Sequence, residues 1–385
     1  MKRALMVATV FKFLNFEKSD IEILQSMGYE VHTATNMHEA KWLQDDGTFK
    51  DSPIIRHQID FGRSPFSKDN IKAYKQLKKL LSEYQFELIH CHTPVAAAIT
   101  RIAAIKTRRK GTKVVYTSHG FHFHKSSSKK DWILYYSMEW LLAFLTDMII
   151  TINHEDYNVA RKLKAKECRY IPGVGIDVQK IRNMEVDREG LRKEIGVPSN
   201  AFLLLAIGEL SARKNQSVII KALKKLNNTN IYLAICGTGE KRFEYEQLIK
   251  QYGLEKQVRL LGQREHIWVM KLCHICDVGV LPSTIEGLGL AGLEIMAAGK
   301  PVIGSNVHGI KDFVKDNLTG YSCAPNDIDG FAKAIDQFMK NEKLYRLCAI
   351  NAKKMAEHFD IKRTRELMIE NYEYITKEIK HDFHT

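Results

Sequence analysis

The chain has 385 residues, long for one hydrophobic core, and its hydrophobic content of 45% is ordinary for a globular protein; together these predict two domains and exclude a low-complexity polymer. Seven cysteines at irregular spacing make no even disulfide framework and fit a reducing compartment. The net charge of +13 calls for an anionic partner or surface, and residues 1–180 carry most of it, with 28 Lys/Arg against 19 Asp/Glu.

The opening residues, Met-Lys-Arg-Ala-Leu-Met-Val-Ala-Thr-Val, place bases before an apolar run as a secretory leader does. The run is short, however, and Phe-Lys-Phe follows where a small-residue cleavage site belongs. They read better as a first strand over residues 4–10. Further strands are expected at 30–33, 88–91, 113–118, 148–152 and 169–171, with helical patterns between them such as 71–84. The apolar stretch 132–152 is interrupted by Glu139 and Asp147, which argues against a membrane-spanning helix and for a cytoplasmic protein. A second series of strands follows at 203–208, 231–236, 258–261, 278–281 and 302–305. Strand and helix alternating in this way signal α/β architecture with two doubly wound parallel sheets. Pro172, Gly173 and Gly175 break the chain between the two series, so 171–177 is the expected junction. Ligands of such sheets bind beyond the carboxyl ends of the strands, which predicts two facing domains with a cleft that opens and closes at the junction.

In the first half, His119 follows a strand in Thr117-Ser-His-Gly-Phe-His-Phe-His124, where an imidazole can orient a sugar hydroxyl or shuttle a proton. His122 and His124 suggest a metal, yet no carboxylate or cysteine stands nearby at ligand spacing, so packing explains them more simply. His90 and His92 flank Cys91 at another strand end and share a face; each is as readily structural as functional. Between Arg101 and Lys130 there are nine basic residues and no acidic one, followed by Trp132, Tyr135, Tyr136 and Trp140. That coupling of charge with interfacial aromatics suits peripheral contact with an anionic bilayer, at about 1 kcal/mol per basic residue near the surface. No nucleic-acid-binding motif accompanies it.

In the second half, Gly208-Glu-Leu-Ser-Ala-Arg-Lys-Asn215 follows the first strand, and Arg213 and Lys214 there suit a diphosphate and the charge that grows on it as it leaves. Gly237 and Gly239 make a small turn after the next strand, equally explained by turn geometry; residues 263–266 could line a nucleobase pocket. Cys273 and Cys276 lack a second ligand pair and sit in an inward-packing helical pattern. Residues 278–299 are the most informative segment. A buried strand ends at Pro282, Gly287 and Gly289 open a helix, Glu286 stands in the loop, and Glu294 lies in the helix eight residues later. Helical side chains lean toward the N-terminus, so both carboxylates reach the space that the free amide groups and the positive dipole end also face. Two acceptors for sugar hydroxyls beside a phosphate cradle describe a nucleotide-sugar site. Asp327 and Asp329 precede a helical run and are explained by capping.

These residues resemble a retaining glycosyltransferase of the GT-B type, family 4, in the branch that builds bacterial capsule and exopolysaccharide. Glu286 and Glu294 are similar to its E-x7-E motif, Lys214 to its phosphate lysine, and His119 to its N-terminal-domain histidine near the reacting sugar. The resemblance implies that Glu286 and the amides of Gly287, Leu288, Gly289 and Leu290 contact the donor sugar, and that Glu294 binds the ribose. It also implies retention at the anomeric carbon and a final helix returning to the first domain. Two departures stand out: Glu209 replaces the arginine that usually follows the glycine of the phosphate loop, with Arg213 nearby, and the loop after the first strand lacks the usual glycine pair, leaving Thr9 or a neighbouring amide to meet phosphate or acceptor.

The expected layout is an acceptor domain over 1–175, a donor domain over 176–364 and a returning helix over 365–385. The expected activity is transfer of a hexose or N-acetylhexosamine from a UDP-linked donor to a sugar on a lipid carrier, at the inner face of the plasma membrane. His119, Glu286 and Lys214 are the expected catalytic groups, Arg213, Gly237, Gly239 and Glu294 further donor contacts, and Thr9, His92 and His122 contacts to acceptor or phosphate. No cofactor or metal is expected, because cationic side chains and a helix N-terminus take the cation's place on the leaving diphosphate. A non-hydrolysing sugar-nucleotide epimerase, or a non-catalytic module on membrane or nucleic acid, are the alternatives.

Overall fold

The computed structural model describes residues 1–38, 47–50, 52–123 and 127–382, with side chains as far as residue 377. His124, named above as a possible ligand, lies outside the described residues. The chain forms two compact units: Met1–Val174 together with the segment from Lys362 onward, and Gly175–Ile361.

Among the described residues the first unit has seven parallel strands: β1 (Lys2–Val10), β2 (Tyr29–Asn36), β3 (Ile54–Gln58), β4 (Leu88–Cys91), β5 (Lys113–Ser118), β6 (Met148–Thr151) and β7 (Glu167–Tyr170), in spatial order β3-β2-β1-β4-β5-β6-β7. The second has six: β8 (Phe202–Ile207), β9 (Ile231–Cys236), β10 (Val258–Gly262), β11 (Val278–Leu281), β12 (Val302–Ser305) and β13 (Gly320–Cys323), in order β10-β9-β8-β11-β12-β13. Both sheets are parallel throughout. Parallel strands are covered on both faces, which is why the central ones are almost unbroken apolar runs such as Ala-Leu-Met-Val-Ala in β1 and Leu-Leu-Leu-Ala in β8, all buried. The order reverses between β1 and β4 in one sheet and between β8 and β11 in the other. At such points the loops diverge and leave a crevice.

Two strands lie where none was expected. β3 (Ile-Ile-Arg-His-Gln) and β13 (Gly-Tyr-Ser-Cys) are edge strands, half in solvent and short, so neither carries the apolar run of a central strand. The basic segment also differs from its linear reading. Arg101 is wholly buried and pairs in bidentate fashion with buried Glu139 at 2.8 and 2.9 Å, its guanidinium 4.4 Å from the Tyr116 ring centroid. Lys113 is buried, and Arg108 engages Asp147 at 2.8 Å. Lys106, Arg109, Lys110, Lys129 and Lys130 remain exposed.

The final helix, Ile361–Asp382, packs on the first unit through a stripe of buried Met368, Tyr372 and Ile375, spaced four and three apart as a helix face requires. Tyr372 anchors it. Its hydroxyl lies 2.7 Å from His90 Nδ1 and 3.2 Å from Asp20 Oδ2, while His90 Nε2 lies 2.7 Å from Thr117 Oγ1. Burial pushes the Asp20 carboxyl well above the usual range, and neighbouring Glu17 adds to this; burial drives His90 down to about 3. Both groups are thus neutral. The bonds then run one way: Thr117 Oγ1–H donates to His90 Nε2, His90 Nδ1–H to the Tyr372 oxygen, and Tyr372 to Asp20 Oδ2.

A raised carboxyl contributes stability in its protonated form, fully present below the unfolded value of about 3.9 and lost as pH rises through the folded value. Asp20→Asn, which keeps an acceptor for Tyr372 without a charge, is expected to remove that acid-side slope. Urea unfolding at a series of pH values checks it: the wild type loses stability as pH rises from about 4, and the variant does not.

Candidate functional site

In the second unit the chemistry gathers at the switch point between β8 and β11. The loop after β8 runs back against the loop after β11: Asn215 Nδ2 donates to the carbonyls of Pro282 at 3.2 Å and Pro325 at 2.8 Å, and the Thr284 amide donates to the Arg213 carbonyl at 2.8 Å. This stitching sets Glu286 among donors. Lys214 Nζ donates to Glu286 Oε2, Ser283 Oγ donates to the same oxygen at 3.1 Å, and Arg213 Nη1 stands 3.4 Å from it. The Glu286 and Lys214 side chains are only 13% and 17% exposed, whereas Arg213 is open to solvent.

Gly289 initiates the helix Leu290–Ala297 with φ +99°, a conformation costly for any residue with a Cβ. The amides of Leu290 and Ala291 precede the first bonds of the helix, which Gly292 and Leu293 make to the Gly289 carbonyl at 2.9 and 3.4 Å, and they lie at the positive end of the helix dipole. Leu288 is buried beneath this turn, and Gly287 offers its carbonyl side to the close approach of Gly309. Glu294, buried within the helix, is held by His266, whose Nε2 lies 2.6 Å from Glu294 Oε1. That bond raises the His266 pKa above its ordinary value. Arg213 and Lys214 thus engage Glu286, and His266 engages Glu294. Gly237 and Gly239 support the phosphate-loop candidate from below: a Cβ on Gly237 would fall 2.0 Å from the Gly208 carbonyl oxygen, and one on Gly239 2.4 Å from that of Leu210. Close backbone approach explains both.

In the first unit the corresponding switch point, between β1 and β4, holds a second cluster. His119 Nε2 lies 3.2 Å from His92 Nδ1 and 3.2 Å from Glu17 Oε1; His92 Nδ1 lies 3.5 Å from Glu17 Oε2. Glu17 and His92 are buried, and only His119, with 19% of its side chain exposed, opens outward. Burial first, then the neighbouring imidazoles of His90 and His119, drives His92 well below the usual histidine range, so it is neutral. His92 was expected to touch acceptor or phosphate; wholly enclosed, it reaches a ligand only through His119. Thr9 is also committed internally, its amide donating to Thr93 Oγ1 at 2.9 Å and its hydroxyl 2.8 Å from the same oxygen. Thr93 holds φ +52°, a strained conformation for a β-branched residue, just before the helix Pro94–Ala103. His122 stands apart from the cluster, exposed and 5.4 Å in ring centroid from Tyr135.

Glu17, His92 and His119 are the group whose carboxylate and ring nitrogens converge, within 4.8 Å, among the described residues. Metal-ligating histidines normally anchor their far nitrogen to a carboxylate or carbonyl. His92 Nε2 is buried without a hydrogen-bond partner, so the set fits a hydrogen-bonded cluster better than a metal centre. Glu17 was missed in the sequence; an acid inside Phe-Leu-Asn-Phe-Glu, directly after a strand end, was the available signal. Cys273 and Cys276 lie buried in and just after the helix His266–Ile275, where burial pushes Cys276 up to about 12, and they are structural. Asp327 caps its helix by accepting from the Gly330 amide at 2.8 Å.

Known proteins resemble this chain in sequence and fold. The family described as "Glycosyltransferase Family 4" matches residues 21–180, and that described as "Glycosyl transferases group 1" matches residues 187–355. The putative glycosyltransferase EpsD of Bacillus subtilis (strain 168) is 34% identical over 377 residues, 96% of each chain. The UDP-Gal:alpha-D-GlcNAc-diphosphoundecaprenol alpha-1,3-galactosyltransferase of Escherichia coli is 29% identical over 76% of each. The structure of Anabaena Alr3699/HepE in complex with UDP and glucose superposes with a TM-score of 0.79 at 21% identity, covering 97% of this chain and all of that one. With the two parallel α/β units described above, the chain belongs to the GT-B glycosyltransferases of family 4.

Proposed function

We propose that the protein transfers a hexose or N-acetylhexosamine from a UDP-linked donor to a sugar on a polyprenyl diphosphate carrier, with retention at the anomeric carbon and without a metal, in capsule or exopolysaccharide assembly. The observation that carries this reading is the cluster of Lys214, Arg213 and Ser283 on Glu286 beside the N-terminus of the helix Leu290–Ala297. Without donor, the cations rest on the acid. An incoming diphosphate takes Lys214 and Arg213 onto its own oxygens, and Glu286 is released to accept from sugar hydroxyls. The leaving charge is then met by two side-chain cations and a helix dipole already in place. Glu294 accepts from the ribose. The acceptor hydroxyl attacks from the side the diphosphate leaves and gives its proton to the departing phosphate oxygen, while His119 orients the reacting sugar.

The E. coli relative's lipid-linked acceptor and the exposed Arg109, Lys110, Lys129 and Lys130 of the first unit support an acceptor drawn from an anionic membrane and a peripheral place on its inner face. No helix among the described residues is long and apolar enough to cross a membrane.

Lys214→Ala and Glu286→Ala are each expected to lower kcat by about 10²–10³, the usual cost of losing one preorganised charge-stabilising group; steady-state transfer assays with an acceptor present check this, and near-normal rates in both would reject the site. Glu17→Gln is expected to lower kcat about tenfold while UDP affinity holds, since it loosens His119 and touches no donor group. Calorimetry separates the two effects. Donor binding should also depend on pH: as His266 loses its proton above its raised midpoint, its hold on Glu294 weakens and UDP affinity rises. A His266→Ala variant is expected to bind UDP with a flat profile over the same range.

A further inference from the structure

The first unit contains a pocket of about 320 Å³ that no step above uses. One wall is Val95, Ala98 and Ile99 from the helix Pro94–Ala103, and the other is Tyr135 and Met138 from the helix Lys129–Ala143. Thr9, at the end of β1, also lines it, as do Asn70 and the exposed Arg63 and His122. The volume falls in the range of small-ligand sites. The walls offer carbon where a sugar would need partners for each hydroxyl, and an unpaired hydroxyl in such a place is costly. All five wall residues are only half-buried, so the concavity is open to an occupant and is not a sealed packing defect.

We propose that this pocket binds the prenyl segment of the acceptor next to its diphosphate, with Arg63 facing the phosphates. This rests on the reading of the acceptor as a polyprenyl diphosphate sugar. Three features select that occupant. Thr9, in the pocket lining, bonds Thr93, the sequence neighbour of His92, which lies 3.2 Å from His119, so an occupant with a polar, reacting end on an apolar body fits. Arg63 gives the lining a cation, as a diphosphate requires. Ile133, Leu134 and Leu141 are 64%, 50% and 61% exposed on the helix that supplies one wall, and Phe66, next to the pocket residue Pro65, is 80% exposed. Apolar surface therefore continues from the pocket outward, along the course a chain longer than the pocket must follow.

The test uses two acceptors with one sugar diphosphate, one on a long prenyl tail and one on a two-carbon tail. Burial of each methylene is worth about fourfold in affinity, so the wild type is expected to show a KM at least about 50-fold lower for the prenyl acceptor. Ala98→Trp, which fills the space between the walls, is expected to bring that ratio close to one, with thermal unfolding and UDP binding reporting an intact fold. Equal KM values in the wild type, or an unchanged ratio in the variant, overturn the proposal. A photoreactive prenyl diphosphate added to the wild-type protein supplies a second measurement independent of any variant. Crosslinks within 94–103 and 129–143 support the pocket, and crosslinks confined elsewhere reject it. Labelling of those helices by a protein that transfers sugar to no lipid-linked acceptor would instead keep the pocket and reject the functional reading.

Discussion

The reversal of strand order within each parallel sheet is the constraint on which the rest of the molecule depends. Loops that leave adjacent strands in opposite directions cannot pack over each other, so the space above β1 and β4, and above β8 and β11, stays open. Residues at those two places gain access to solvent without leaving a rigid frame. His119, Thr9 and the buried Glu17–His92 pair collect at one reversal; Lys214, Arg213, Ser283 and Glu286 collect at the other. The sheets decide where chemistry can stand, and the loops decide which chemistry it is.

The reversal in the second unit holds charge in a paired state. A lysine ammonium that is only 17% exposed and a carboxylate that is 13% exposed would each be costly alone. Set together, each offsets the other's burial cost, and both side chains are already oriented. The first unit uses a different device. Burial leaves His90, His92 and Asp20 neutral, and their hydrogen bonds connect the final helix, through Tyr372, to the layer beneath His119. Docking of the helix and orientation of the cluster are thereby coupled through shared side chains.

How far the sequence announces this depends on the range of the interaction. Central strands such as β8 and β11 are legible because burial on two faces demands an unbroken apolar run, whereas β3 and β13 escape notice as half-solvated edges. The eight-residue interval between Glu286 and Glu294 and the adjacency of Arg213 and Lys214 are local, and both are legible directly. Depth is not local. Arg101 reads as a surface cation until Glu139, 38 residues on, is brought against it. His92 lies on a legible strand-end face, but nothing in its neighbours reveals full enclosure, and Glu17 gains meaning only when 75 and 102 positions of chain fold to bring His92 and His119 to it. Long-range pairing of polar groups has no periodicity for a sequence to display.

Under the proposed function, the loop after β8 departs from the family pattern in a way its geometry accommodates. Where the family usually carries an arginine after the glycine, Glu209 points into solvent and contributes its carbonyl to Gln216 Nε2 at 3.0 Å. An acid in that place would repel a diphosphate if its side chain turned inward. The loop instead supplies its second cation four residues later, with Arg213 Nη1 fixed by the Ile285 carbonyl at 3.3 Å and 3.4 Å from the oxygen that also receives Lys214. Under the proposed function, positive charge at that point in space is what matters, and the loop between β8 and its helix delivers it from its far end.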